Sequence, residues 1–86
     1  MVSHAVRVRL YATARDAVRR TELDLAVPDG GLTGRELVRC LTDRWPRLGP
    51  ILGTSRIVRA NGDVVRPGSR LRAGDEVAVH PPYGGG

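Results

Sequence analysis

The sequence contains no phenylalanine and no lysine, a single cysteine, and no long run of apolar residues. Each absence narrows the reading. Without Phe, and with only one Trp and two Tyr, a core must be built from aliphatic side chains. The lone Cys40 excludes an internal disulfide and a cysteine-based metal cluster. The two histidines, His4 and His80, stand at opposite ends of the sequence and form no ligand motif. No stretch approaches the roughly 18 apolar residues of a membrane span. No basic segment leads into a short apolar one as in a secretory signal. No membrane partner is therefore expected, and the expected compartment is the cytoplasm. The absence of Lys also means that the chain cannot accept an isopeptide bond at a side-chain amine.

What is present is a small, basic chain. Its 86 residues make one domain with one modest core. All 14 basic residues are arginine, against 9 acidic ones, for a net charge of +5. A basic balance raises nucleic acid as a partner. The arginines, however, are scattered from Arg7 to Arg72, with no run longer than Arg19-Arg20. No aromatic residues are interleaved among them for base stacking. The expectation is no nucleic acid, and either a solvated basic surface or a basic face toward an acidic protein. Arg7, Arg9, Arg56 and Arg59, on strands near the C-terminal end of the fold, are the candidates for such a face.

The apolar periodicity lays out the elements. Val6-Arg7-Val8-Arg9-Leu10-Tyr11 alternates as a half-buried strand does, with Val6, Val8 and Leu10 inward. Thr13 to Val18 reads as a helical turn or two, with Thr13 as its cap and Ala14, Ala17 and Val18 toward the core. Glu22 to Val27 alternates again, and Pro28-Asp29-Gly30-Gly31 turns the chain. Thr33-Gly34-Arg35-Glu36 has capping-box spacing. Leu37, Val38, Leu41 and Trp45 then share a helical face, and Pro46 stops the helix. This predicts one long helix over residues 34–45. Cys40 flanks its apolar stripe and reads as a small packed residue. Arg47 to Ser55 reads as a connector pinned by Leu48, Ile51 and Leu52. Asn61-Gly62 between Arg56–Ala60 and Val64-Val65 signals a hairpin. Gly74-Asp75 leads into a last strand, Glu76 to His80.

This order predicts an α+β fold: a mixed four- or five-stranded sheet across one main helix, with the first and last strands central. Residues 1–80 form the domain. Residues 81–86, Pro81-Pro82-Tyr83-Gly84-Gly85-Gly86, form a tail. The two prolines fix φ and stiffen the exit. The glycines bury nothing and permit conformations closed to other residues. Such a tail is either a frayed end or a backbone meant to enter a narrow place.

Several stretches together resemble a known family. Leu10-Tyr11-Ala12, Asn61-Gly62, and Leu71 with Gly74-Asp75-Glu76-Val77-Ala78 running into Pro81-Pro82 and the terminal glycines are similar to the MoaD/ThiS sulfur carriers. Each piece alone is weak; their order covers nearly the whole chain. The length and the Ala12 to Arg20 segment look most like the molybdopterin synthase small subunit. His80, where that branch usually has an aromatic residue, and the third glycine are departures.

The resemblance implies a ubiquitin-like β-grasp fold and a non-enzymatic carrier. Gly86 would be the reactive residue, adenylated and then converted to a thiocarboxylate, and Pro81 to Gly86 would be the partner-binding tail. It implies no intrinsically bound cofactor and no metal, with ATP used by a ubiquitin-activating-enzyme-like adenylyltransferase. A sulfurtransferase or persulfide donor would supply sulfur, and a large synthase subunit or another sulfur-accepting enzyme would take it. Two alternatives stay open. One is a carrier for another pathway, such as cysteine, thiosugar, thiamine or tRNA thiolation. The other is a ubiquitin-like interaction module or protein modifier.

Overall fold

Two strands at opposite ends of the sequence lie side by side in the centre of the sheet. In the computed structural model, which describes residues 4–82, β1 (Ala5–Leu10) and β6 (Glu76–His80) pair in parallel. The antiparallel strands β2 (Glu22–Ala26) and β4 (Arg56–Arg59) flank them, giving the order β2-β1-β6-β4. Directly opposed residues share a face, so the register aligns apolar rows. Leu23, Val8 and Val77 form one, and Leu10, Val79 and Ile57 another. All six are buried.

The long helix α2 (Gly34–Arg44) contributes Leu37 and Leu41, both fully buried, to the same cluster. Its start is the capping box expected from the sequence. Glu36 N–H donates to Thr33 Oγ1 at 3.1 Å, and Thr33 N–H to Glu36 Oε1 at 2.8 Å. Two further orphan donors of the first turn are met by a loop: Gly34 N–H reaches Ser69 O and Arg35 N–H reaches Pro67 O. This docking is close. A Cβ on Gly34 would lie 2.2 Å from Arg66 O, so the position requires glycine. The helix ends before Pro46, with Trp45 pushed to φ −132° and ψ 80°, as a residue preceding proline must be.

Three local expectations are corrected, and one element was not foreseen. Thr13 does not cap the short helix α1 (Ala12–Val18). Tyr11 occupies the cap position and makes no side-chain cap bond, because β1 runs straight into the helix and leaves Thr13 inside its first turn. The 47–55 connector is mostly helical: a 3₁₀ turn at Pro46–Leu48 is followed by α3 (Gly49–Leu52). Leu48, Ile51 and Leu52 already have i, i+3, i+4 spacing, which is the signal for it. The Asn61-Gly62 turn forms, but its second arm makes only a bridge from Val64 to Val58. Val65 N–H still donates to Ile57 O at 2.7 Å, and Arg66 and Pro67 then leave the sheet to meet the start of α2. A two-residue ladder, β3 (Leu32–Thr33) with β5 (Arg70–Leu71), closes a second small sheet. It is too short to show any period.

The packing of α2 predicts that Leu41→Ala lowers unfolding free energy by about 2–5 kcal/mol. Urea titration measures this, and an unchanged midpoint would show that Leu41 does not hold the helix to the sheet. The capping box generates a pH prediction. The Thr33 backbone N–H holds the Glu36 carboxyl below its usual range, with a smaller contribution from the Thr33 hydroxyl and from Arg70 and Arg39. A depressed folded pKa adds stability that is fully present above the ordinary Glu range and is lost as pH falls through the folded value. The stability gap between wild type and Glu36→Gln should therefore narrow as pH drops from neutral to about 3. A pH-independent gap would contradict that assignment.

Candidate functional site

The residues around the C-terminal end of β6 form the root of the predicted tail. β6 is held on both sides, by β1 and β4, from Val77 to Val79, and His80 is paired with β4. Its alternation puts Val77 and Val79 in the core and Glu76, Ala78 and His80 on the open face of the sheet. His80 lies opposite Arg56. On its other side, its ring stacks on Tyr11, with centroids 5.0 Å apart and planes 4° from parallel. Parallel offset stacking at this distance is a favourable aromatic arrangement. Thus His80, a departure from the expected aromatic residue, still makes an aromatic contact. Pro81 is half-buried and Pro82 exposed. With Thr54, Ser55, Arg56, Val58 and His80, the two prolines line an open hollow of about 640 Å³. Ser55 Oγ donates to Ile51 O at 2.6 Å, which ties that rim to α3.

Of the predicted tail, only Pro81 and Pro82 fall within the described residues; Tyr83, Gly84, Gly85 and Gly86 lie outside them. Tyr11, Ser55 and Arg56 were not part of the predicted site. Tyr11 continues the outward alternation of β1. That it meets His80 follows only once β1 and β6 are paired.

The expected basic sheet face is corrected. Arg7 donates to Asp24 at 3.2 Å and lies 3.9 Å from Glu22, while Arg9 pairs with Glu76. These carboxylates raise both guanidinium pKa values, through the Asp24 hydrogen bond first for Arg7 and the Glu76 hydrogen bond first for Arg9. Both pairs are exposed, so each adds little stability, but they neutralise the face. Arg59 is not on this face at all. It lies opposite inward-facing Val77. Its guanidinium reaches Arg70 O at 2.7 Å and Asp75 at 3.4 Å. Of the four candidates, Arg56 alone is on this face without an ion pair among the described residues.

Cys40 is half-buried against the core on α2. Among the described residues, no group of three potential metal-ligating side chains comes together. No helix there is long and apolar enough to cross a membrane.

The stack predicts a spectroscopic signature. Tyr11→Leu should remove the ring-current shift from the His80 side-chain protons and lower stability by no more than about 1.5 kcal/mol. Unchanged His80 resonances in the variant would exclude the stack.

This geometry has known counterparts. A family model described as ThiS family matches residues 8–86. The small archaeal modifier protein SAMP1 of Haloferax volcanii is similar in structure, with TM-score 0.81 and 24% identity, over 95% of this chain and 99% of that one. A Pyrococcus furiosus protein described as molybdopterin converting factor, subunit 1, superposes with TM-score 0.79 at 25% identity, over 94% and 100% of the two chains. The small archaeal modifier protein 1 of Methanosarcina acetivorans superposes with TM-score 0.77 at 26% identity, over 100% of both. The fold is the ubiquitin-like β-grasp expected from the sequence.

Proposed function

The chain belongs to the ThiS family, and we propose that it is a sulfur carrier whose working group is the carboxylate of Gly86. It is a small ubiquitin-fold protein of the carrier and modifier kind. The observation that carries the proposal is the extent of the family match, which runs through the whole glycine tail to Gly86. The fixed tail root supports it, because a carrier must present its terminus from a defined base.

The chemistry then follows from the carboxylate. An activating enzyme joins the Gly86 carboxylate to the α-phosphate of ATP and releases pyrophosphate. The terminal sulfur of a persulfide attacks the acyl carbon and expels AMP. A thiol then cleaves the S–S bond, leaving a thiocarboxylate on Gly86 and a disulfide on the donor. The acceptor is drawn from the resemblance to the molybdopterin synthase small subunit, together with the Pyrococcus furiosus relative. A large synthase subunit would take the tail and pass the sulfur to a pterin precursor. A second reading is favoured by the two modifier proteins of similar structure. In it the activated Gly86 acylates an amine on a target protein. Since this chain has no Lys, its side chains could not extend such a conjugate into a polymer.

The test is pyrophosphate exchange with an adenylating enzyme, followed by intact-mass measurement after addition of a sulfur source. One residue added beyond Gly86 displaces the carboxylate by up to about 3.6 Å. Misplacement by about 1 Å can already cost 100-fold in rate. Extension past Gly86, deletion of Gly86 and Gly85→Val should each abolish exchange. The melting temperature should hold, since the buried side chains of the described residues lie between Val6 and Val79. Exchange of oxygen for sulfur in wild type supports the carrier; adducts to other proteins support the modifier. Full activation of the extended chain would sink both.

A further inference from the structure

The charge that the sheet face lacks is gathered elsewhere. Between α2 and β4 runs a groove of about 460 Å³ with an aliphatic floor that includes Val38, Ile57 and Val65. Val64, which shares the outward face of Val58 across their bridge, borders the outer rim of the groove and is 42% exposed, one of two large apolar side chains so exposed among the described residues. Arg35 and Arg66 flank this floor, Arg56 borders it from the open-face side of the edge strand β4, and no acidic residue lines it. None of the three arginines forms an ion pair among the described residues. Arg7 and Arg9, by contrast, are paired. The groove is also well built. Its wall from Val65 to Pro67 is clamped to α2 through the Arg35 N–H to Pro67 O bond and the close approach at Gly34.

We propose that this groove docks an acidic segment of a protein partner, with its apolar side chains on the valine floor and its carboxylates on Arg35, Arg56 and Arg66. Guanidinium groups hold carboxylates through paired, charge-assisted hydrogen bonds, and an uncompensated cationic rim speeds encounter with an anionic segment. A nucleic acid would supply the charge but needs aromatic faces for its bases, and the floor is aliphatic. A second copy in twofold contact would set three unpaired arginines against three. Ser55 and Arg56 also line the hollow at the tail root, so one partner can fill the groove and engage the tail together.

The experiment titrates the full, isotope-labelled chain with an acetylated peptide alternating Asp with Leu and Ile, and follows backbone amide shifts. The expected result is saturable shifts at Val38, Ser55 and Val64. Affinity should fall about tenfold or more in Val64→Asp and in the double variant Arg35→Glu with Arg66→Glu. Peptides with Ser replacing every Asp, or every Leu and Ile, should bind as weakly. Thermal melts verify that the variants are folded. No shifts, or shifts centred on Arg7 and Arg9, would overturn the proposal. So would groove shifts caused by single-stranded oligothymidylate but not by the peptide, or by concentrating the chain alone. No activating enzyme takes part, so failure here leaves the Gly86 proposal standing, and failure of Gly86 activation leaves this one standing.

Discussion

The parallel pairing of β1 with β6 is the constraint on which the rest depends. Parallel neighbours cannot be joined by a tight turn, so everything between Leu10 and Glu76 must cross from one to the other. That intervening chain is spent covering one face. β2 and β4 extend the sheet outward, while α2 and α3 close its apolar side. The pairing also sets the register that aligns Leu23, Val8 and Val77 beneath the helices. A slip of one residue in β6 would turn Val77 and Val79 outward and bring Ala78 and His80 into the core. Packing and the position of the tail root are thus fixed by the same contacts.

Charge is sorted by the same register. Alternation sends Arg7 and Arg9 of β1 outward between acidic residues of β2 and β6, so their pairing is a geometric consequence of strand order. Arg59 is carried to the core side, where it ties β4 to the 70–75 segment through Arg70 O and Asp75. The net positive charge is therefore not spread evenly. It is expressed where arginines lie on α2 and on the irregular 65–67 segment, which have no cross-strand acids beside them.

Much of this architecture was legible in the sequence, because its signals are local and periodic. The alternation of Val6, Val8 and Leu10, the Thr33–Glu36 box and the stop at Pro46 each depend on residues within a few positions. The elements missed are those whose cause is distant. The β3–β5 ladder exists because Leu32 and Leu71 meet across the fold. The 64–65 arm fails to become a strand because Pro67 and Gly34 draw it to the helix. Alternation already puts Arg56 and Arg59, three residues apart, on opposite faces, but which of them faces out is decided by the strand partner. The tail-root site was half visible. His80 and the prolines are evident as sequence, whereas Tyr11 becomes its neighbour only through the long-range pairing.

The arrangement separates stability from chemistry along the chain. The buried apolar side chains of the described residues stop at Val79, and His80 is the first residue beyond them, already exposed and held by Tyr11 rather than by the core. On the proposed reading, a carboxylate that is modified and then restored is best placed where substitution and derivatisation cost the fold nothing. Yet it must not wander, because its reaction partners demand positional accuracy far finer than a loose chain end provides. A central strand solves this conflict. The sheet supplies a base that cannot slip without exposing its core, and two prolines transmit that base's direction for a short distance by restricting φ.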